Sequence, residues 1–270
     1  MTFLSDFGLA DEYVAVCKAV IRSIAPGAEI ADISHLIEPY GVRQGAVVLY
    51  ESVPYFPQSV HLAVVDPGVG SARRAVILSV AGGSSLLVGP DNGLLMPSAA
   101  RLGGVEGAWE IANPELGLPV RSSTFHGRDV FSPAAAHLFL GVAPAEFGPG
   151  VDPGSLVRLE ETTVADLGSH LSGEVVHVDR FGNLQTNLRS VHLDRLNAVP
   201  GDRLQVRLGE RVVEATVRRS YSFGEVGELQ LVVDSHGCVA ICVNEGSAAL
   251  LTGARPGSTV LLGAGGFAEG

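Results

Sequence analysis

The sequence predicts an α/β protein: an N-terminal α/β sheet domain with flanking helices, then a smaller C-terminal β-rich, barrel-like domain. Three observations carry that prediction. Short apolar runs alternate with helix-period segments through the N-terminal part, the sign of a mixed or parallel sheet with helical cover. Between Gly148 and Leu171 the composition turns to Gly, Pro, Asp and Thr, and beyond it short alternating or apolar runs are separated by turns. The domains are therefore placed at residues 1–160 and 172–270, with a linker at 161–171.

Thr2–Leu4 opens the chain as a strand. Asp11 then stands where a helix N-cap belongs, Val14, Cys17, Ile21 and Ile24 recur at helical spacing, and Pro26-Gly27 stops the run. Glu29–Ile33 and Val60–Val65 read as buried strands with a helix over Val42–Ser52 between them. Ala75–Val80 and Ser85–Val88 read as two further strands, and Asp129–Leu140 as another helix. In the second domain the predicted strands are Gly173–Val178, Arg203–Leu208, Arg211–Val217, Leu229–Val233 and Cys238–Val243. A helix at Ser247–Leu251 and a strand at Thr259–Leu262 close it, and the Gly-rich tail from Gly263 to Gly270 is expected to fray.

Composition narrows the function. Of 270 residues 46% are hydrophobic, and 18 Lys+Arg stand against 29 Asp+Glu, a formal net charge of −11. An acidic chain with no basic run repels a phosphate backbone, which argues against nucleic acid as a partner. Cys17, Cys238 and Cys242 are few, odd in number and set among apolar residues. They read as buried thiols in a reducing compartment, the cytoplasm. Met1 to Gly8 lacks a basic region followed by a long apolar stretch, and no segment approaches the roughly 18 apolar residues of a membrane helix.

In α/β sheets, ligands gather beyond the carboxyl ends of strands, so the segments just after strands are the first candidates for function. Ser5-Asp6-Phe7-Gly8 with Asp11 follows the first strand; Asp11 reads as a cap, while Asp6 can accept two hydroxyl hydrogen bonds from a ribose. Asp66-Pro67-Gly68-Val69-Gly70 delivers a carboxylate into a loop open to close backbone approach, with Arg73 seven residues on. This loop is no dinucleotide fingerprint, because Arg73 occupies the place of the last glycine and a strand follows. Gly89-Pro90-Asp91-Asn92-Gly93 reads first as a turn and cap. In Phe125-His126-Gly127-Arg128-Asp129, Asp129 can cap and Arg128 can pair, which leaves His126 as the best single candidate for chemistry. His137, His170, His177 and His192 read as ordinary core or surface residues. The common zinc, serine-hydrolase and P-loop motifs are absent. From these residues alone the reading stops at a small-molecule enzyme using Asp, Arg and His.

Taken in order, the segments resemble the S-adenosyl-L-methionine hydrolases, or hydroxide adenosyltransferases, relatives of fluorinase and chlorinase. The resemblance runs through the four segments above, Asp32-Ile33-Ser34-His35 with Pro39, Asp179-Arg180-Phe181-Gly182-Asn183 with Thr186-Asn187, Asp234-Ser235-His236-Gly237, and Asn244 to Ala249. It implies that Asp66, Arg73 and His126 hold a water or hydroxide against ribose C5′ in a catalytic N-terminal domain. It further implies ribose binding by Asp6, packing of Tyr40 at the site, and methionine recognition by Asp179, Asn183 and Ser235 in a substrate-binding C-terminal domain. Adenine is expected near Phe181, Tyr221 and the backbone from Val243 to Glu245. Asp11, Val69, Gly127 and His236 complete the expected binding set. The halogenating relatives carry Tyr-Pro-Ala-Thr-Gly in place of Asp66 to Gly70 and Tyr-Ser in place of His126-Gly127, so this sequence sides with water over halide. His236 stands where those relatives have an arginine, Gln185 replaces an aromatic ring, Tyr221 stands where a phenylalanine can occur, and Ser71 replaces a common threonine. The resemblance also implies a homotrimer with sites between subunits, and catalysis without metal or organic cofactor.

A sulfonium departs as a neutral thioether, so the leaving group needs no proton and the enzyme needs an aligned nucleophile. Asp66 and His126 remain alternative bases. Three other readings stay open: a metal-dependent hydrolase using Asp6, Asp11, Asp66 and His126, an adenosyl-binding protein without turnover, and a halide adenosyltransferase.

Overall fold

The computed structural model describes residues 1–56, 58–119, 122–160 and 162–265. Residue 161 of the predicted linker and residues 266–270 of the predicted tail lie outside them. The chain divides into two compact units, Met1–Leu159 and Glu160–Gly270.

In the first unit the strands are β1 (Thr2–Ser5), β2 (Ala31–Ser34), β3 (Val60–Val64), β4 (Ala75–Val80), β5 (Ser85–Pro90) and β6 (Gly107–Glu110). They form one sheet in the order β2-β1-β3-β5-β4-β6. The ladders from β2 through β5 are parallel, and β4 pairs antiparallel with both β5 and β6. The helices are α1 (Tyr13–Ile24), α2 (Val42–Ser52), α3 (Met96–Arg101) and α4 (Ser132–Phe139). Period-two alternation assigns the two faces. Phe3, Leu62, Val64 and Ile77 pack with Val14, Cys17 and Ile21 of α1 and Ala134 to Ala136 of α4. Leu4, Ala63, Val65, Val76 and Leu78 pack with Ala46 and Leu49 of α2 and Ala99 of α3. β1, β3 and β5 are therefore covered on both sides, and only their ends are open to a ligand.

Three local expectations are revised. The N-cap of α1 is Glu12, without a side-chain cap bond, and Asp11 lies exposed before it. β2 is not buried: it lies at the sheet edge, with Ala31 and Asp32 exposed. The helix expected from Asp129 begins as a π-helical turn, Gly127–Phe131, and becomes α4 at Ser132. Such turns recur at functional sites because they re-aim side chains within a continuous helix.

In the second unit the strands are β7 (Ala165–Asp166), β8 (His170–Val178), β9 (Leu184–Arg189), β10 (Arg203–Leu208), β11 (Arg211–Arg218), β12 (Leu229–Val233), β13 (Cys238–Val243) and β14 (Thr259–Gly263), with short helices α5 (Ser190–Arg195) and α6 (Ala248–Thr252). Seven strands close into a barrel, β14-β10-β11-β12-β13-β9-β8, through the antiparallel β14–β8 ladder; β7 adds to β8. Inward residues such as Val175, Leu184, Leu188, Leu204, Val206, Leu231, Ile241 and Leu262 fill it. No helix among the described residues is long and apolar enough to cross a membrane.

Candidate functional site

β1 and β3 are adjacent and parallel, with Ser5 opposite Val64. Asp6 and Asp66 thus leave the same edge of the sheet, where a cavity of about 330 Å³ is lined by both, together with Phe7, Tyr13, Pro39, Tyr40, Val64, Val69 and the segment Thr124 to Gly127. Asn92 donates from Nδ2 to the Val65 carbonyl at 2.8 Å, which fixes the strand end from which Asp66 projects. The loop after it is tight: Gly70 adopts φ +77°, and a Cβ there would sit 2.4 Å from the Ser123 carbonyl oxygen. That contact joins the Asp66 loop to the segment that carries His126.

Arg73 links the two groups. Its Nε donates to Asp66 Oδ1 at 2.9 Å and Oδ2 at 3.0 Å, and Nη2 donates both to Asp66 Oδ2 and to His126 Nδ1, the latter at 2.8 Å. The guanidinium lies 5.1 Å over the Phe131 ring, on the π-helical turn. The side chains of Arg73 and Asp66 are only 11% and 6% exposed, so the pair is little screened by water. A guanidinium has no acceptor, so His126 Nδ1 receives this bond and the neutral ring carries its hydrogen on Nε2.

Asp6 is held differently. Its Oδ2 accepts the Tyr40 N–H at 2.9 Å, and Tyr40 takes φ +68°. A non-glycine residue in this region costs about 1–3 kcal/mol, a strain met mostly where a site over-determines the backbone. Burial pushes the Asp6 carboxyl above its usual range and the nearby Asp66 adds to this, opposed by backbone hydrogen bonds from Tyr40 and from Asp6 itself. Phe7, Tyr13 and Phe125 meet edge to face, with centroids 5.2 to 6.1 Å apart, and wall the cavity. Gly127 is required beside them: a Cβ would lie 2.6 Å from Phe7 Cζ. The fully buried Asp129 accepts the Ser122 N–H at 2.7 Å and pairs with Arg128, which orders the approach to His126.

One expected residue lies apart from this cluster. Asp11 does not line the cavity. Asp91 is structural: it is paired with Arg74 and accepts the Val157 N–H at 2.9 Å. Among the described residues no three His, Cys, Asp or Glu side chains are grouped as a metal site, and both Asp66 oxygens accept from Arg73. Phe7, Tyr13, Pro39, Val64, Thr124 and Phe125 line the cavity without having been assigned to the site from sequence; for all but Thr124, an aromatic or apolar residue beside a polar motif is the one signal that could have pointed to them.

The second unit has its own cavity, of about 690 Å³, lined by Asp179, Phe181, Asn183, Gln185, Tyr221, Asp234, Ser235, His236 and Val243 to Gly246. All the expected residues of this unit line it; Gln185, Asp234, Asn244 and Gly246 are additional. The Asp179 carboxylate is largely used by its own turn, accepting from Phe181 N, Asn183 N and Asn183 Nδ2 at 2.8, 3.0 and 2.7 Å. Asp234 likewise accepts from His236 N and Cys238 N. Gly182 has φ +80° and leaves no room for a Cβ beside Ser247, which caps α6. Burial, then the charges of Cys242, Asp234 and Asp179, raise the Tyr221 hydroxyl. Three carboxylates and no Lys or Arg line this cavity, a field that favours a cationic ligand.

Comparison with known proteins follows the same division. Residues 1–148 match the model of the SAM hydroxide adenosyltransferase N-terminal domain, and residues 173–261 that of the C-terminal domain. An "(R)-S-adenosyl-L-methionine hydrolase" from Salinispora arenicola is 45% identical over 98% of both chains. A fluorinase from Nocardia brasiliensis is 28% identical over 96% of this chain and 95% of that one. The crystal structure of a conserved protein from Thermotoga maritima superposes with a TM-score of 0.90 at 38% identity, covering 97% of this chain and 99% of that one.

Proposed function

Because the chain belongs to the SAM hydroxide adenosyltransferase family, we propose that it is an enzyme that hydrolyses S-adenosyl-L-methionine to adenosine and L-methionine by attack of water on ribose C5′. The names of its relatives extend the proposal to the (R) epimer at sulfur as the preferred substrate. The observation that carries the reading is the Asp66–Arg73–His126 network at the mouth of the sheet, facing the same cavity as Asp6.

In this mechanism the new bond is O–C5′, the bond broken is C5′–S, and its electron pair stays on sulfur as methionine's neutral thioether. Water loses one proton on the way to adenosine. Asp66 is the acceptor this geometry favours, because Oδ1 receives only one of the Arg73 bonds and retains a lone pair. His126 acts as a donor: its Nδ1 is taken by Arg73, and its Nε2–H orients oxygen. Asp6, whose Oδ2 accepts the Tyr40 N–H, is assigned the ribose hydroxyls. Asp179, Asn183 and Ser235 receive the methionine portion, where the acidic field suits its ammonium group. His236 stands by the carboxylate. The purine is assigned to Phe181, Tyr221 and the backbone of Val243 to Glu245, with Val69 and Gly127 closing the ribose side. No metal or organic cofactor takes part in the reading, and assembly as a homotrimer belongs to it; sedimentation velocity tests the latter. All three cysteines are free and buried, which supports a cytoplasmic setting.

The deciding experiment is turnover of each sulfur epimer in oxygen-18 water, with and without chelator, read by mass spectrometry. Labelled adenosine, unaffected by chelator, is the expected product. Loss of activity with chelator, restored by metal, would favour a metallohydrolase; a 5′-halogenated nucleoside would indicate halide transfer. Bound substrate without turnover would leave a binding protein.

A further inference from the structure

The Asp32-Ile33-Ser34-His35 segment has no part in the proposed chemistry, yet its polar groups form an ordered chain behind the cavity. Ser5, wholly buried, places Oγ 2.7 Å from His35 Nδ1 and accepts the Phe7 N–H at 3.4 Å. His35 is 4% exposed, and its carbonyl accepts the Gly8 N–H at 2.8 Å. Its ring stands edge-on to Phe3 at 4.6 Å. His35 Nε2 lies 3.1 Å from Asp32 Oδ1, off the axis of a good hydrogen bond, and Asp32 Oδ2 accepts from Lys18 Nζ at 2.5 Å. Lys18 is the sole lysine of the chain.

The donors and acceptors can be assigned throughout. Two lone pairs would repel at 3.1 Å, so the His35 hydrogen sits on Nε2, toward the Asp32 carboxylate. Nδ1 is then an acceptor, and Ser5 must donate its hydroxyl hydrogen to it while receiving from Phe7. Burial favours the neutral ring this requires. Asp6 lies between pinned residues: Ser5 is held before it, and Phe7 and Gly8 after it. None of Lys18, Asp32, His35 or Ser5 lines the cavity.

We propose that His35 is a positioning residue that holds the Asp6 carboxylate in its binding orientation through Ser5 and the backbone of the following turn. The assignment rests on the proposed role of Asp6 in nucleoside binding. A displacement near 1 Å at a binding group can cost ~100-fold, so His35→Gln, whose amide reaches toward Asp32 and abandons Ser5, is expected to lower kcat/KM by roughly 10–100-fold. His35→Asn, whose amide falls where Nδ1 was, is expected to restore most of that loss.

The test is a double-mutant cycle with Asp6→Asn, read as kcat/KM and as adenosine affinity by calorimetry, after melting curves confirm that each variant folds. If His35 acts through Asp6, His35→Gln has little further effect once Asp6 is changed. The same fold-loss in both backgrounds, or His35→Asn no better than His35→Gln, overturns the assignment. Wild-type turnover tests the function separately. Should wild type neither turn over nor bind adenosine, the link is read from hydrogen exchange at the Tyr40 amide, whose partner is Asp6 Oδ2. Protection is expected to fall in His35→Gln and recover in His35→Asn; unchanged protection in both refutes it.

Discussion

Replacing Arg73 by lysine keeps the positive charge and removes the fork. In the native site, Nε lies 2.9 and 3.0 Å from the two Asp66 oxygens, while Nη2 reaches Asp66 Oδ2 and, at 2.8 Å, His126 Nδ1. A single ammonium on a flexible stem is not expected to reproduce both attachments. Losing one hydrogen bond to a charged group costs about 1.5–3 kcal/mol. At about 1.4 kcal/mol per decade, this corresponds to a fall of roughly 10- to 150-fold in kcat. The effect is expected in single-turnover hydrolysis, with KM changed by less than about threefold because the network serves the attacking water rather than ground-state binding. A lysine variant that keeps native kcat would refute the geometric argument and leave charge as the whole contribution of Arg73. A raised KM at unchanged kcat would move Arg73 into substrate binding.

Three further outcomes follow from particular contacts. His61 is wholly buried with Nδ1 2.9 Å from Thr2 Oγ1, and burial, helped by the positive N-terminus, lowers it from 6.5 to about 4. Since the unfolded chain takes up this proton first, stability is whole above pH 6.5 and falls as pH drops toward about 4, by about 3 kcal/mol in total; His61→Asn should flatten urea midpoints across that window, and an unchanged slope would show that His61 is not the titrating group. Tyr40→Gly removes the positive-φ strain from a side chain that is 73% exposed, so its melting temperature is expected to hold or rise while KM increases; native KM would remove Tyr40 from the binding site. S-adenosylhomocysteine, which would have to leave as a thiolate, is expected to bind and resist cleavage; homocysteine release at a rate comparable with methionine release would contradict displacement tuned to a sulfonium.

Much of the architecture was legible where hydrophobic period and element coincide. α2, β4, β10, β12 and β13 have the predicted bounds, because each is an amphipathic or apolar run bracketed by turn residues. β9 was missed because its inward positions are Leu184, Thr186 and Leu188, and Thr186 satisfies its hydroxyl on the Val239 carbonyl at 2.6 Å, so a buried residue looks polar in sequence. β6, four residues beginning at Gly107, offers too short a pattern to register. At the cavity, Asp6, Asp66 and His126 were visible as polar residues beyond strands or before a helix without an evident structural task. The left-handed Tyr40, the π-helical turn and the Ser5–His35 link were not, since each depends on contacts between distant segments that no local pattern records.

The closed ladder of the second unit has a mechanical corollary. An open sheet unravels from its outermost strand, whereas here β14 is bonded to β10 on one side and β8 on the other, leaving the cylinder no end from which to peel. The strands are therefore expected to exchange their amide hydrogens more slowly than the turns that carry Asp179, Tyr221, Asp234 and Glu245. A ligand held by those turns would be grasped by movable fingers set on a rigid ring.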